Sequence, residues 1–136
     1  IPDDCEVFDL GSGNGIPGIM ISIIKNCPVT LIESDHRKGV FLEQTARRLG
    51  IKVKVIIDRF ENVVIPQNCQ ITARGLMSVK DIIANLSINY QGQTIWLLKG
   101  KNHQQEINEA LKDWKFNYKL HPQGEGAIVE ISNITV

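Results

Sequence analysis

The sequence predicts an α/β fold with a mostly parallel sheet and helices on both of its faces. Two observations lead there. Short β-branched runs alternate with longer amphipathic segments along the whole chain, the pattern of a sheet wound through crossover helices. The first of these strand-to-helix junctions, Asp9 to Gly18, is dense in glycine, as expected where a doubly wound sheet receives a ligand.

Taken in order, Glu6 to Leu10 reads as the first strand, Pro17 to Lys25 as a helix and Val29 to Ile32 as the second strand. Arg37 to Leu49 reads as the second helix and Val53 to Ile57 as the third strand. Cys69 to Ala73 is a weaker strand. The helix from Ser78 to Ser87 carries Val79, Ile82, Ile83 and Leu86 on one face, at i, i+3, i+4 and i+7. Thr94 to Leu98 reads as a buried strand, and Ile107, Ala110, Leu111 and Trp114 repeat the same helical spacing. Two last runs, Phe116 to Leu120 and Ala127 to Ile131, could pair antiparallel through a turn containing Gly124 and Gly126.

With 136 residues, 43% of them hydrophobic, the whole chain (1–136) is expected to form one globular domain. The apolar stretch from Ile16 to Ile24 is too short to cross a bilayer, and no secretion signal is visible. A soluble, cytoplasmic protein is expected, with no membrane partner and no metal. Because the chain opens on Ile1, it is expected to be a fragment whose N-terminal piece is absent. Cys5, Cys27 and Cys69 are odd in number and widely spaced, which suits buried thiols better than disulfides or zinc ligands. His36, His103 and His121 are equally scattered and read as surface or loop residues. Fifteen basic residues balance fifteen acidic ones, so no global field attracts a nucleic acid, and any such contact must come from local patches.

The chemistry concentrates in Asp9-Leu10-Gly11-Ser12-Gly13-Asn14-Gly15-Ile16-Pro17-Gly18. Glycine lets the backbone approach a ligand closely, and the helix that follows presents unpaired N–H groups. Gly13, Gly15 and Gly18 alone match a dinucleotide pattern, which is a weak signal. Charge decides between the candidates: a carboxylate at Asp9 would repel a pyrophosphate but suits the ammonium of a methionine moiety. S-adenosyl-L-methionine is therefore favoured over NAD. Glu33 lies twenty residues beyond Gly13, the spacing at which an acid meets ribose hydroxyls, the alternative being a solvated strand end. After the third strand, Asp58-Arg59-Phe60-Glu61 could bring the Phe60 backbone and the Glu61 carboxylate near an adenine.

Together, Asp9 to Ile19, Leu31-Ile32-Glu33-Ser34-Asp35-His36-Arg37-Lys38 with Phe41-Leu42, Thr72-Ala73-Arg74-Gly75-Leu76 and Leu97-Leu98-Lys99-Gly100 resemble the RsmG (GidB) methyltransferases over essentially the whole chain. The resemblance implies a Rossmann-like class I methyltransferase fold, its seven-stranded sheet mostly parallel with the last strand reversed. It implies transfer of a methyl group from S-adenosyl-L-methionine to guanine N7 of small-subunit (16S) ribosomal RNA, naked or in the assembled subunit. Asp9, Gly11, Gly13 and Gly15 would frame the methionine end, Ile16 would line its pocket, Glu33 would hold the ribose, and Phe60 with Glu61 would meet the adenine. Arg74 would border cofactor and substrate. The sequence departs from the family in having Gly75 and Phe60 where alanine is frequent, and in lacking the family's N-terminal helical segment.

Four further cations stand out. Arg37 and Lys38 fall in the first turn of the second helix, where the macrodipole disfavours each by about 0.3–1 kcal/mol. That turn lies on the ligand side of the sheet, so the pair could meet RNA phosphates. Arg48, eleven residues after Arg37, returns to the same helical face. A solvated face is the alternative. Lys99, after the fifth strand, is expected in the active cleft beside Arg74 as a catalytic residue, the alternative being a lysine snorkelling to water. Guanine N7 has an available lone pair, so no general base is required. A monomer is expected. The competing readings are a cofactor-binding module without catalysis, a methyltransferase acting on another substrate and, opposed by Asp9, an NAD-dependent oxidoreductase.

Overall fold

The computed structural model describes residues 6–11, 18–25, 27–75 and 77–136. Its elements alternate as the sequence predicts: β1 (Val7–Leu10), α1 (Gly18–Lys25), β2 (Val29–Glu33), α2 (His36–Leu49), β3 (Val53–Ile57), a short 3₁₀ turn (Phe60–Asn62), β4 (Gln70–Arg74), α3 (Val79–Leu86), β5 (Thr94–Lys99), α4 (His103–Ala110), β6 (Lys115–Gln123) and β7 (Gly126–Thr135). One seven-stranded sheet has the order β3-β2-β1-β4-β5-β7-β6. The pairs β3-β2, β2-β1, β1-β4 and β4-β5 are parallel, and β7 runs antiparallel to both its neighbours. Only the last strand in sequence is therefore reversed.

The alternation of side chains along β1 builds two cores. Phe8 and Leu10 join Ile32, Ile71, Ala73, Ile95, Leu97 and the buried residues of α3 and α4 on one face. Val7 joins Val29, Leu31 and Leu42 on the other, under α1 and α2. With a helix layer on each side, β1 and β2 are buried at every position, as central parallel strands should be.

Helix α2 starts at His36, one residue before the expected Arg37, because Asp35 caps it: its Oδ1 accepts from the Lys38 N–H at 3.1 Å. Gly50 closes it in the left-handed conformation. In α3, Ser78 caps the N-terminus and all four expected residues, Val79, Ile82, Ile83 and Leu86, are buried. Helix α4 is shorter than its periodicity predicts. It ends at Ala110, which leaves Leu111 40% exposed, while Ile107 and Ala110 are buried and Trp114 packs against the core. The two terminal strands are longer than expected, because once joined by the turn at Gly124 and Glu125 they pair with each other from Gln123↔Gly126 to Lys115↔Thr135. Cys27 and Cys69 are buried; Cys5 lies outside the described residues. No helix among the described residues is long and apolar enough to cross a membrane.

Candidate functional site

The strand order reverses between β1 and β4, the point at which an open α/β sheet leaves a crevice beyond its strand ends. At the end of β1 the carboxylate of Asp9 is 1% exposed. Its Oδ1 accepts from the Thr72 hydroxyl of β4 at 2.6 Å and its Oδ2 from the Gly18 N–H at 3.3 Å. Asp9 thus ties the sheet to the first residue of α1, holding both ends of the glycine loop. Gly18 must be glycine: a Cβ there would stand 2.3 Å from Leu31 Cδ2 and 2.8 Å from Asp9 Oδ2. Of the sequence-predicted ligand residues, Gly11 follows β1 directly, whereas Gly13, Gly15 and Ile16 lie outside the described residues.

Glu33 closes β2 and is only 6% exposed, so it is not a solvated strand end. Its Oε2 accepts from the Asp35 N–H at 2.8 Å, which turns the chain sharply into α2, and its carbonyl accepts from the Asp58 N–H of the neighbouring strand end. The second bond brings 58–61 beside Glu33. There Phe60 is buried, and the Glu61 carboxylate accepts from the Arg59 guanidinium. Between these segments opens a cleft of about 340 Å³ lined by Gly11, Ile32, Ser34, Asp58, Arg59, Phe60, Glu61 and Met77. Three segments far apart in sequence, the ends of β1, β2 and β3, therefore converge on one concave surface.

A second cleft of about 410 Å³ lies at the ends of β4 and β5, lined by Arg74, Gly75, Leu98, Lys99, Gly100, Gln123, Ala127 and Ile128. Arg74 ends β4 with its side chain exposed. Gly75 takes up φ 52°, a left-handed conformation that glycine adopts without a side-chain penalty. Lys99 is close by, yet its side chain is 6% exposed and does not snorkel to water. Its ammonium donates to the Met77 carbonyl and pairs with Glu106 at 3.0 Å.

Arg37 and Lys38 lie exposed in the first turn of α2, and Arg48 lies exposed in its last. Phe41, one turn beyond Arg37, is 52% exposed. Sequence reasoning assigned no role to Thr72, Met77 or Glu106. Only the first carried any hint, a hydroxyl residue two before Arg74 in the same strand; the contacts of all three depend on long-range register. Among the described residues, no group of His, Cys, Asp and Glu is placed to hold a metal ion.

Comparisons with known proteins agree with this geometry. The family model for rRNA small subunit methyltransferase G matches residues 2–128. The ribosomal RNA small subunit methyltransferase G of Rickettsia africae is 39% identical over 139 residues, covering 97% of this chain and 70% of the relative. That of Paracoccus denitrificans is 36% identical, covering 93% and 68%. Among solved structures, a SAM-dependent methyltransferase from Aquifex aeolicus superposes with a TM-score of 0.71 at 15% identity, over 97% of this chain and 82% of its own. A methyltransferase from Pyrococcus furiosus gives 0.70 at 16%, over 95% and 74%. The structural likenesses establish a class I methyltransferase fold, and the family match over nearly the whole length identifies the chain as a member of the rRNA small subunit methyltransferase G (GidB) family.

Proposed function

We propose that this domain transfers the methyl group of S-adenosyl-L-methionine to N7 of a guanine in small-subunit ribosomal RNA, acting in the cytoplasm as a monomer. The observation that carries the reading is the buried Glu33 carboxylate at the end of β2, between Ile32 and Ser34, which line the 340 Å³ cleft. Two acceptor oxygens suit the paired hydroxyls of a ribose, and the cleft has the size of a small-ligand site. The residues present therefore fit the cofactor. Glu33 would hold the ribose, the Phe60 backbone and Glu61 the adenine, and Gly11, Gly13, Gly15 and Ile16 the methionine end. Asp9, which joins β4 to the first residue of α1, would frame the same end.

When bound, S-adenosyl-L-methionine supplies an electrophilic methyl carbon on a cationic sulfur. Guanine N7 presents a lone pair on the major-groove edge, so no proton has to leave before it attacks. What the chain contributes is placement of the two reactants in line, with electrostatic help. Arg74 is exposed at the end of β4 beside the second cleft, where a guanidinium can donate hydrogen bonds but cannot take a proton. Helix α2 supports RNA docking: Arg37, Lys38 and Arg48 suit phosphates, and the exposed Phe41 ring offers a stacking surface for an unpaired base.

Mapping methylated nucleotides in ribosomal RNA from cells with and without the gene tests the proposal. The expected result is loss of one N7-methylguanine from the small-subunit RNA. Loss of a modification on a base carbon or a ribose oxygen would refute the chemistry. Cofactor binding with no change in the RNA would leave a binding module without catalysis.

A further inference from the structure

We propose that Lys99 and Glu106 are positioning residues that hold Met77 and the start of α3 at Val79, and through Met77 the wall of the 340 Å³ cleft. The inference rests on the methyltransferase reading above and goes beyond it in giving Lys99 a task other than contact with the reactants. Lys99 ends β5 and Glu106 lies in the first turn of α4. The Lys99 ammonium donates to the carbonyl of Met77 and pairs with Glu106 Oε1 at 3.0 Å. The same Oε1 accepts from the N–H of Val79 at 3.1 Å, and Val79 is the first residue of α3. One ammonium and one carboxylate thereby clip both ends of a three-residue span, Met77 to Val79, onto β5 and α4.

Met77 lines the 340 Å³ cleft with Gly11 and Phe60, while Arg74 and Gly75, shortly before it in sequence, line the second cleft. Lys99 has three donors, two of them spent on these partners, and with 6% of its side chain exposed it offers little to a ligand. A carboxylate so placed is a poor candidate for mere surface pairing, because removing either partner leaves the other charge in a largely buried site. The two residues should therefore act as one unit, and what they control should be read in the 340 Å³ cleft that Met77 lines.

The test is a double-variant cycle on the full chain, with affinity for S-adenosylhomocysteine measured by calorimetry and methylation of small-subunit RNA resolved into kcat and KM. Lys99→Met and Glu106→Ala should each weaken S-adenosylhomocysteine binding about tenfold, the scale of one coupled contact, and the double variant should be no weaker than either. Lys99→Arg, which can still donate to both partners, should recover most of the affinity. Glu106→Gln keeps an acceptor for Val79 and should fall in between; these two conservative variants carry the test if the others do not fold. The proposal is overturned if Glu106→Ala binds and turns over like the parent while Lys99→Met loses turnover, since the ammonium then acts on the reactants directly. Equal affinity in all variants overturns it too. A parent chain that does not bind S-adenosylhomocysteine defeats the cofactor reading itself, and is told apart by needing no variant to show it.

Discussion

The Thr72 hydroxyl donates to Asp9 Oδ1 across 2.6 Å, joining residues that are register partners on the adjacent strands β4 and β1. The other oxygen of the same carboxylate reaches the N–H of Gly18. Asp9, expected from the sequence at the methionine end of the cofactor, thus joins β4 to the first residue of α1. Thr72→Val keeps the shape and removes the donor, leaving a buried carboxylate short of a partner. A loss of about 1–3 kcal/mol is expected in urea unfolding, together with weaker S-adenosylhomocysteine binding. Thr72→Ser should retain most of both. Parental stability and affinity in Thr72→Val would show that the loop is held without this bond.

Glu33 separates a charge effect from a shape effect. Glu33→Ala should cost about 1.5–3 kcal/mol of cofactor affinity if the carboxylate receives charge-assisted hydrogen bonds from the ribose. Glu33→Gln should lose less, because its amide oxygen still accepts one bond while the NH₂ group cannot replace the other acceptor. Because Glu33 also accepts from the Asp35 N–H, the unfolding midpoint of each variant has to be measured alongside its calorimetric titration. If both variants bind like the parent, the buried carboxylate serves only the turn into α2.

Asp35 makes a pH-dependent contribution whose sign can be worked out. The N–H of Lys38 holds its carboxyl below the ordinary 3.8, assisted by the N–H of Arg37 and the charges of both residues against some desolvation. A carboxyl depressed in the folded state stabilises fully above its unfolded value, and that contribution disappears as pH falls through the folded value. Asp35→Asn keeps a cap acceptor without titrating. The parent should melt higher than Asp35→Asn near neutrality, and the gap should close below about pH 3.8. A gap that stays constant on acidification would exclude the charge as its source.

Local chemistry was the legible part of this protein. Asp9 and Glu33 near their strand ends and the start of α2 are written within a few residues of where they act, and the structure puts them at one end of the parallel strands. Leu111 shows the limit of periodicity. It fits the apolar face of a continuing helix, but α4 stops at Ala110 and turns toward β6, so the side chain is left outward. Thr72 and the clip of Lys99 and Glu106 were not readable for another reason. Each is fixed by the pairing of elements many residues apart, 63 residues between Thr72 and Asp9 and 22 between Lys99 and Met77, and no local pattern encodes such a meeting. A lysine at a strand end looks the same in sequence whether it faces a cleft or is folded back under a loop.

Arg74 and Lys99 end neighbouring parallel strands, with Arg74↔Leu98 in register, yet their environments differ completely. Lys99 is enclosed and paired, while Arg74 is exposed at the second cleft. The exposed cation is therefore the one available to a reactant. Its guanidinium stays protonated at any working pH and offers a planar fork of donors, suited to a carboxylate or to guanine O6 beside the attacking N7. Lysine keeps the charge and loses the fork. Arg74→Lys should bind S-adenosyl-L-methionine measurably but methylate more slowly, and Arg74→Ala should be slower still, by about 10²–10³ in turnover, the scale for removing one well-placed electrostatic donor. If guanine N7 is the acceptor, no proton is abstracted, and the rate should show no ionisation of a catalytic base near neutrality. Parental turnover in Arg74→Ala at saturating cofactor would remove Arg74 from the reaction and leave the placement of guanine to other residues around the cleft.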